Sequence, residues 1–223
     1  MARMCRSPRS ATFFANVNSL TIAPSLHRFV PRRALETTAF GYEVIARNHC
    51  VDDCIETVRW VDCWCPDAAQ FVLIDACDDL RGGNCHHLIQ AFRESHLHPK
   101  MRLVCGASML GDEELVAILH HHDIGFLLAS YEQDDLEGLA HKGILGVRIE
   151  AETLLASSDV ATCMEARRVV DTVHDMGLRS IASQVPTSSE VRNLLALGFD
   201  YVSQSDGGFM PADPSFSWRG RVV

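Results

Sequence analysis

Glu43, Ile45 and Arg47 alternate at period two in the run Gly41-Tyr42-Glu43-Val44-Ile45-Ala46-Arg47. On a β-strand that spacing puts all three side chains on one face. A carboxylate and a guanidinium presented together can serve a metal ion and a phosphate, or they can neutralise one another as a structural ion pair. Two other groupings carry ligand chemistry. Cys50-x3-Cys54-x8-Cys63-x-Cys65, with His49 beside it, offers zinc ligands, but lacks the Cys-x2-Cys spacing of a zinc knuckle. Histidines gather as His86-His87, His96-x-His98 and His120-His121-His122. The last trio ends a helical pattern, where a cation complements the helix dipole. The 9 cysteines are an odd number, in a chain too long and apolar to depend on a disulfide framework. Cys77 and Cys105 lie in or beside apolar runs and read as small core residues.

Positioning such groups requires a scaffold, and the chain alternates in a way that supplies one. Apolar strand-like runs occur at Ala39–Ala46, Gln70–Ala76, Met101–Gly106, Gly125–Ser130, Ile144–Ile149, Leu178–Ser183 and Phe199–Ser203. Helical patterns lie between most of them. Residues Asp112–His122 put Leu115, Ile118 and Leu119 on one face; Thr162–Met176 put Ala166, Val169, Val170 and Val173 on one face, with Gly177 as C-cap. Thr187-Ser188-Ser189-Glu190 is a capping box opening a helix with Val191, Leu194 and Leu195 inward and Gly198 at its end. The strands are continuously apolar, so the sheet is covered on both faces. Seven or eight β-α units in so short a chain suit a parallel barrel or an open doubly wound sheet. No Gly-x-Gly-x-x-Gly or Gly-x4-Gly-Lys-Ser/Thr occurs, which favours the barrel, with its chemistry at the C-terminal strand ends.

Composition narrows the function. The chain has 223 residues and a formal net charge of -9, with 47% apolar and 22% charged residues. The charge is unevenly spread. Residues 1–35 hold Arg3, Arg6, Arg9, Arg28, Arg32 and Arg33 and no acid, so the remainder is more acidic than the total suggests. An acidic body is a poor binder of nucleic acid. No apolar run approaches the ~18 residues of a membrane span. The first residues lack the apolar stretch of a secretory signal and read as a basic, flexible extension.

The run around Glu43 resembles the signature of EAL domains, the cyclic di-GMP phosphodiesterases, which reads Gly-Tyr/Phe-Glu-Ala-Leu-Leu-Arg. Four further segments are similar in order. Gln70–Asp75 resembles the strand ending in a metal-binding Asn, and Gly143–Glu150 the strand carrying Lys-Ile-Asp. Met176–Thr187 resembles the segment ending Ala-Glu-Gly-Val-Glu-Thr, and Leu197–Val202 the last strand before Gln-Gly-Tyr. The resemblance implies an α/β fold, a modified TIM-like (β/α) barrel of the EAL type with one antiparallel strand. In active members two Mg2+ or Mn2+ ions, held by clustered carboxylates, activate water and clamp the phosphate.

Set against that pattern, Glu43 keeps the signature glutamate and Arg47 the phosphate-contacting arginine. Asp75 stands at the Asn position. Arg148 replaces the catalytic Lys and Glu150 the Asp after it. Ser183 and Pro186 replace the two Glu of Glu-Gly-Val-Glu-Thr. Ser203 and Gln204 fall near the final Gln. No acid occurs between Lys100 and Gly111. Leu128, Ala129 and Ser130 occupy the place of the metal-bridging Asp pair, and Glu132, Asp134 and Asp135 come too late in the chain. Arginine does not deprotonate at working pH, so Arg148 is no substitute for a catalytic lysine. The expectation is a barrel over residues 19–213, preceded by a basic segment at 1–18 and followed by a tail at 214–223. Its role would be a catalytically inactive regulatory domain in bacterial signalling that acts on an unidentified protein partner. Glu43 would be a vestige, with no metal site and no cofactor. The alternative is a cyclic di-GMP receptor that does not hydrolyse its ligand, using Arg47, Glu43, Asp75 and Arg148. A residual phosphodiesterase needing Mg2+ or Mn2+ ranks below both. The resemblance also implies a homodimer in the cytoplasm, without nucleic acid or membrane insertion.

Overall fold

The computed structural model describes residues 25–31, 41–46, 48–65, 69, 71–129, 136, 138–154 and 160–204. Eight strands close into a barrel in sequence order: β1 (Ser25–Pro31), β2 (Gly41–Ile45), β3 (Phe71–Asp75), β4 (Met101–Cys105), β5 (Gly125–Ala129), β6 (Gly146–Glu150), β7 (Arg179–Val185) and β8 (Tyr201–Gln204). Strand β1 runs antiparallel to both its neighbours, β2 and β8, and the other strands pair in parallel. The helices are α1 (Val51–Trp64), α2 (His86–Glu94), α3 (Ala107–Leu110), α4 (Glu113–His121), α5 (Ala151–Leu154), α6 (Val160–Asp175) and α7 (Ser188–Leu197). No helix among the described residues is long and apolar enough to cross a membrane.

The period of two within each strand sorts side chains into two layers. Leu73, Val104, Leu127 and Ile181 meet on the barrel axis, with Phe71, Ala129 and Tyr201 against them. Val72, Ile74, Leu103, Phe126, Leu128, Val147, Ile149, Ala182 and Val202 face outward into the larger core beneath the helices. This double burial is why the strands read as continuous apolar runs. Phe71 and Tyr201 close the N-terminal end of the barrel edge to face, with ring centroids 5.1 Å apart. Gly41 makes room for them, because a Cβ there would sit 2.1 Å from the Phe71 ring.

The expected helices form with shifted ends. In α4, Leu115, Val116 and Leu119 are buried and Ile118 only partly so. Ala166, Val169, Val170 and Val173 of α6 are all buried, and Gly177 follows at φ +74°. Thr187 caps α7, accepting from the Glu190 amide at 3.3 Å and donating to its carboxylate at 2.7 Å. Gly198 ends that helix at φ +115°.

The strand absent from the sequence reading is β1. Ser-Leu-His-Arg-Phe-Val-Pro has neither alternation nor a continuous apolar run, and only pairing on both edges defines it. The strand run at Ile144 starts instead at Gly146, where a Cβ would lie 2.4 Å from the Arg179 carbonyl oxygen. The segments 1–18 and 214–223, Arg47, Glu132, Asp134 and Asp135 lie outside the described residues.

Candidate functional site

Register brings the candidate residues together. Glu43 stands opposite Leu73 on β3, two residues before Asp75 at the strand's C-terminal end. Arg148 stands on β6 between Ala129 of β5 and Ile181 of β7, and Glu150 pairs with Ser183. All these side chains face the barrel axis near its C-terminal mouth, where barrels place their chemistry.

The guanidinium of Arg148 is the hub. Its Nη1 donates to Glu43 Oε1 at 3.1 Å and to Ser183 Oγ at 3.4 Å. Its Nη2 lies 3.0 Å from Asp75 Oδ1 and 3.8 Å from Glu150 Oε1. The second oxygen of Glu43 accepts a hydrogen bond from the Ser203 hydroxyl. Ser203 in turn accepts from the Gln184 amide at 2.9 Å. A bulge in β7 between Ala182 and Val185, with Gln184 at φ +56°, aims that amide at β8. Outside the ring of acids, Asn48 donates to the Asp75 carbonyl, and Thr57 of α1 holds Asn48 at 2.8 Å.

Burial grades the four charges. Glu43 is 1% exposed and Arg148 6%, whereas the Asp75 and Glu150 side chains are 30% and 56% exposed. Burial raises the pKa of Glu43 against the opposing pull of Arg148 and Ser203. Asp75 is raised to about 6, again by burial, which outweighs the attraction of Arg148. Burial opposes the charge on Arg148, but Asp75 and Glu43 more than offset it and its pKa lies above the ordinary value. A buried guanidinium between two carboxylates with good hydrogen-bond geometry is the arrangement that makes a buried charge tolerable.

Of the four candidate ligand residues, Glu43, Asp75 and Arg148 therefore meet in one cluster, and Arg47 lies outside the described residues. Ser203 and Gln184 were not legible as site residues. Ser203 was noted only for its place near the family's final Gln, and no sequence signal marks the bulge that aims Gln184.

The other groupings serve the scaffold. The cysteines of the zinc-like spacing are spread along α1, with Cys54 and Cys65 buried and Cys63 exposed. The Cys54 thiol meets Cys77 and the Asp75 carbonyl, joining helix to strand. His120 bonds the Lys142 carbonyl at 2.8 Å. Among the described residues no group of three or more His, Cys, Asp or Glu is arranged to hold a metal ion.

A closed eight-stranded barrel with an antiparallel first strand and its polar cluster at the mouth is the architecture of EAL domains, and solved structures of that type match it. The EAL domain of FimX from Pseudomonas aeruginosa bound to c-di-GMP superposes with a TM-score of 0.62 at 11% identity, covering 81% of this chain and 87% of that one. The EAL domain of Mycobacterium smegmatis DcpA gives 0.63 at 15% identity, covering 81% and 89%. A standalone versatile EAL protein from Vibrio cholerae O395, in its c-di-GMP bound form, gives 0.64 at 10% identity, covering 81% and 88%. No family model and no curated protein matches the sequence. The chain thus has the EAL-type fold.

The metal ions implied by that fold can be tested against the donors present. Two divalent ions need several hard oxygen ligands converging on one place. Both Glu43 oxygens are engaged, by Arg148 and Ser203, and Asp75 is paired with the same guanidinium. An ion among these carboxylates would have to displace a fixed positive charge. The described residues do not fit the metal pair.

Proposed function

We propose that this chain is a catalytically inactive EAL-type barrel that acts in bacterial signalling through protein–protein contact. One observation carries the reading: the Arg148 guanidinium lies between Glu43 and Asp75, where carboxylates would otherwise be free to take metal. Arg148, at the place of the catalytic lysine, keeps its proton and cannot act as a general base. What remains is a rigid closed barrel, a scaffold suited to presenting a surface. The test is incubation with cyclic di-GMP and either Mg2+ or Mn2+. The expected outcome is no linear dinucleotide. Metal-dependent hydrolysis that is lost in Glu43→Gln would overturn the reading.

The second reading is a cyclic di-GMP receptor, favoured by the ligand named for the FimX and Vibrio cholerae structures. Against it, the described mouth sets three carboxylates around one guanidinium. A cyclic dinucleotide, with one negative charge on each of its two phosphodiesters, meets net repulsion in such a field. Calorimetry with cyclic di-GMP separates the two: saturable heat supports the receptor, and its absence supports the protein-contact domain.

A further inference from the structure

At the opposite, N-terminal end of the barrel a cleft of about 260 Å3 opens between the starts of β4 and β5 and the turn before β6. Its lining includes Arg102, His120, Asp123, Phe126 and Leu145. Arg102 is part of that lining. Its Nη1 is fixed by the carbonyls of Pro99 and Met101 at 3.0 and 2.7 Å. Burial lowers its pKa, and no carboxylate among the described residues offsets that. Arg102 is a half-buried cation whose Nη1 is held by neutral dipoles.

The surroundings reinforce that charge. Segments 98–102, 120–126 and 140–146 hold Lys100, Arg102, Lys142, His98, His120, His121, His122 and His141, against Asp123 as their single acid. With histidine neutral, Lys100, Arg102 and Lys142 still outnumber Asp123 there, on a chain whose net charge is -9. One wall is apolar. The Leu145 side chain is 46% exposed, and Phe126 stacks edge to face on His120 at 5.2 Å. Two glycines keep the cleft open: a Cβ on Gly125 would strike Arg102 and Leu145, and one on Gly143 would strike the His120 ring.

We propose that this cleft binds a small organic carboxylate with an apolar body, its carboxylate on the Arg102 guanidinium and its body against Leu145. A planar fork of donors matches a carboxylate, and desolvated surroundings strengthen the pair. The volume falls just below the usual range for drug-sized ligands, which excludes a dinucleotide and fits a single-ring or short-chain acid.

The experiment is calorimetric titration of the full chain with benzoate, with inorganic phosphate as a second arm. Two variants accompany it. Arg102→Gln removes the charge. Leu145→Glu puts a carboxylate on an exposed wall position, where folding is little affected, and thermal unfolding checks that both variants fold. The expected result is saturable benzoate binding that weakens by about tenfold or more in each variant, with phosphate binding far weaker. No saturable benzoate binding, equal binding of phosphate, or benzoate affinity unchanged in a folded Leu145→Glu protein would overturn the proposal.

Discussion

Arg148 Nη1 lies 3.1 Å from Glu43 Oε1, and the two residues are 105 positions apart in the chain. Both are almost fully buried. Removing one partner leaves the other as an uncompensated buried charge, which costs about 3–5 kcal/mol. Arg148→Met is therefore expected to lower the unfolding free energy by that amount in urea denaturation. The double variant Arg148→Met, Glu43→Gln is expected to recover much of the loss. Additive losses in the double variant would contradict a direct pairing.

Asp75 supplies a pH dependence of known sign. Its folded pKa of about 6 lies above its ordinary value of 3.8. A raised carboxyl pKa stabilises the fold fully below the unfolded value, and that contribution is lost as pH rises through the folded value. The side chain is 30% exposed, so solvent screening moderates the effect. Asp75→Asn is expected to be more favourable relative to the parent at pH 7.5 than at pH 4, as measured by denaturant unfolding at both. An equal difference at both pH values would remove Asp75 as the source.

Backbone contact at the barrel's lower end makes a steric prediction. A Cβ on Gly146 would lie 2.4 Å from the Arg179 carbonyl oxygen, which belongs to the neighbouring strand and cannot swing away. Overpacking of this kind costs about 1–3 kcal/mol. Gly146→Ala is expected to lower the melting temperature, while Gly83→Ala, which meets nothing within 4 Å, is expected to leave it nearly unchanged.

Asp200 ties three elements together. Its Oδ2 accepts from the Ser180 amide at 3.0 Å and lies 3.0 Å from His174 Nε2, and its Oδ1 accepts from Arg179 at 3.1 Å. Burial alone would raise its pKa, but these partners outweigh burial and hold it below the ordinary carboxylate value. The stabilisation is present above that ordinary value and disappears as pH falls through the lower, folded one. Asp200→Ala strands the buried Ser180 groups and is expected to cost about 1–3 kcal/mol at pH 7. The gap between variant and parent should narrow in strong acid. A gap that widens in acid would reverse the assignment.

Much of the architecture was legible because it is written in local periodicity. Continuous apolar strand runs, the helical faces of α4 and α6, the Thr187 box and the glycine C-caps each need only a few neighbouring residues to define them. Strand β1 escaped because its residues carry no pattern of their own, and it is a strand only through its partners on both edges. The site divides in the same way. Glu43, Asp75 and Arg148 could be singled out at strand ends, but their meeting around one guanidinium could not. Ser203 and Gln184 depend on a β-bulge, and a bulge is a shift of register between two strands rather than a property of either.

The sequence by itself therefore determined which faces are apolar, where helices stop, and which polar residues interrupt strands that should otherwise be buried. The tertiary structure alone decided what those polar residues do to one another. Barrel closure brings β2, β3, β6 and β8 around one axis, so charges from three distant segments and a hydroxyl from a fourth share a small volume of low dielectric. There Arg148 pairs with Glu43 and Asp75 at the mouth. At the other end no carboxylate among the described residues offsets the burial of Arg102, a difference set by which strand neighbours each guanidinium meets rather than by arginine itself.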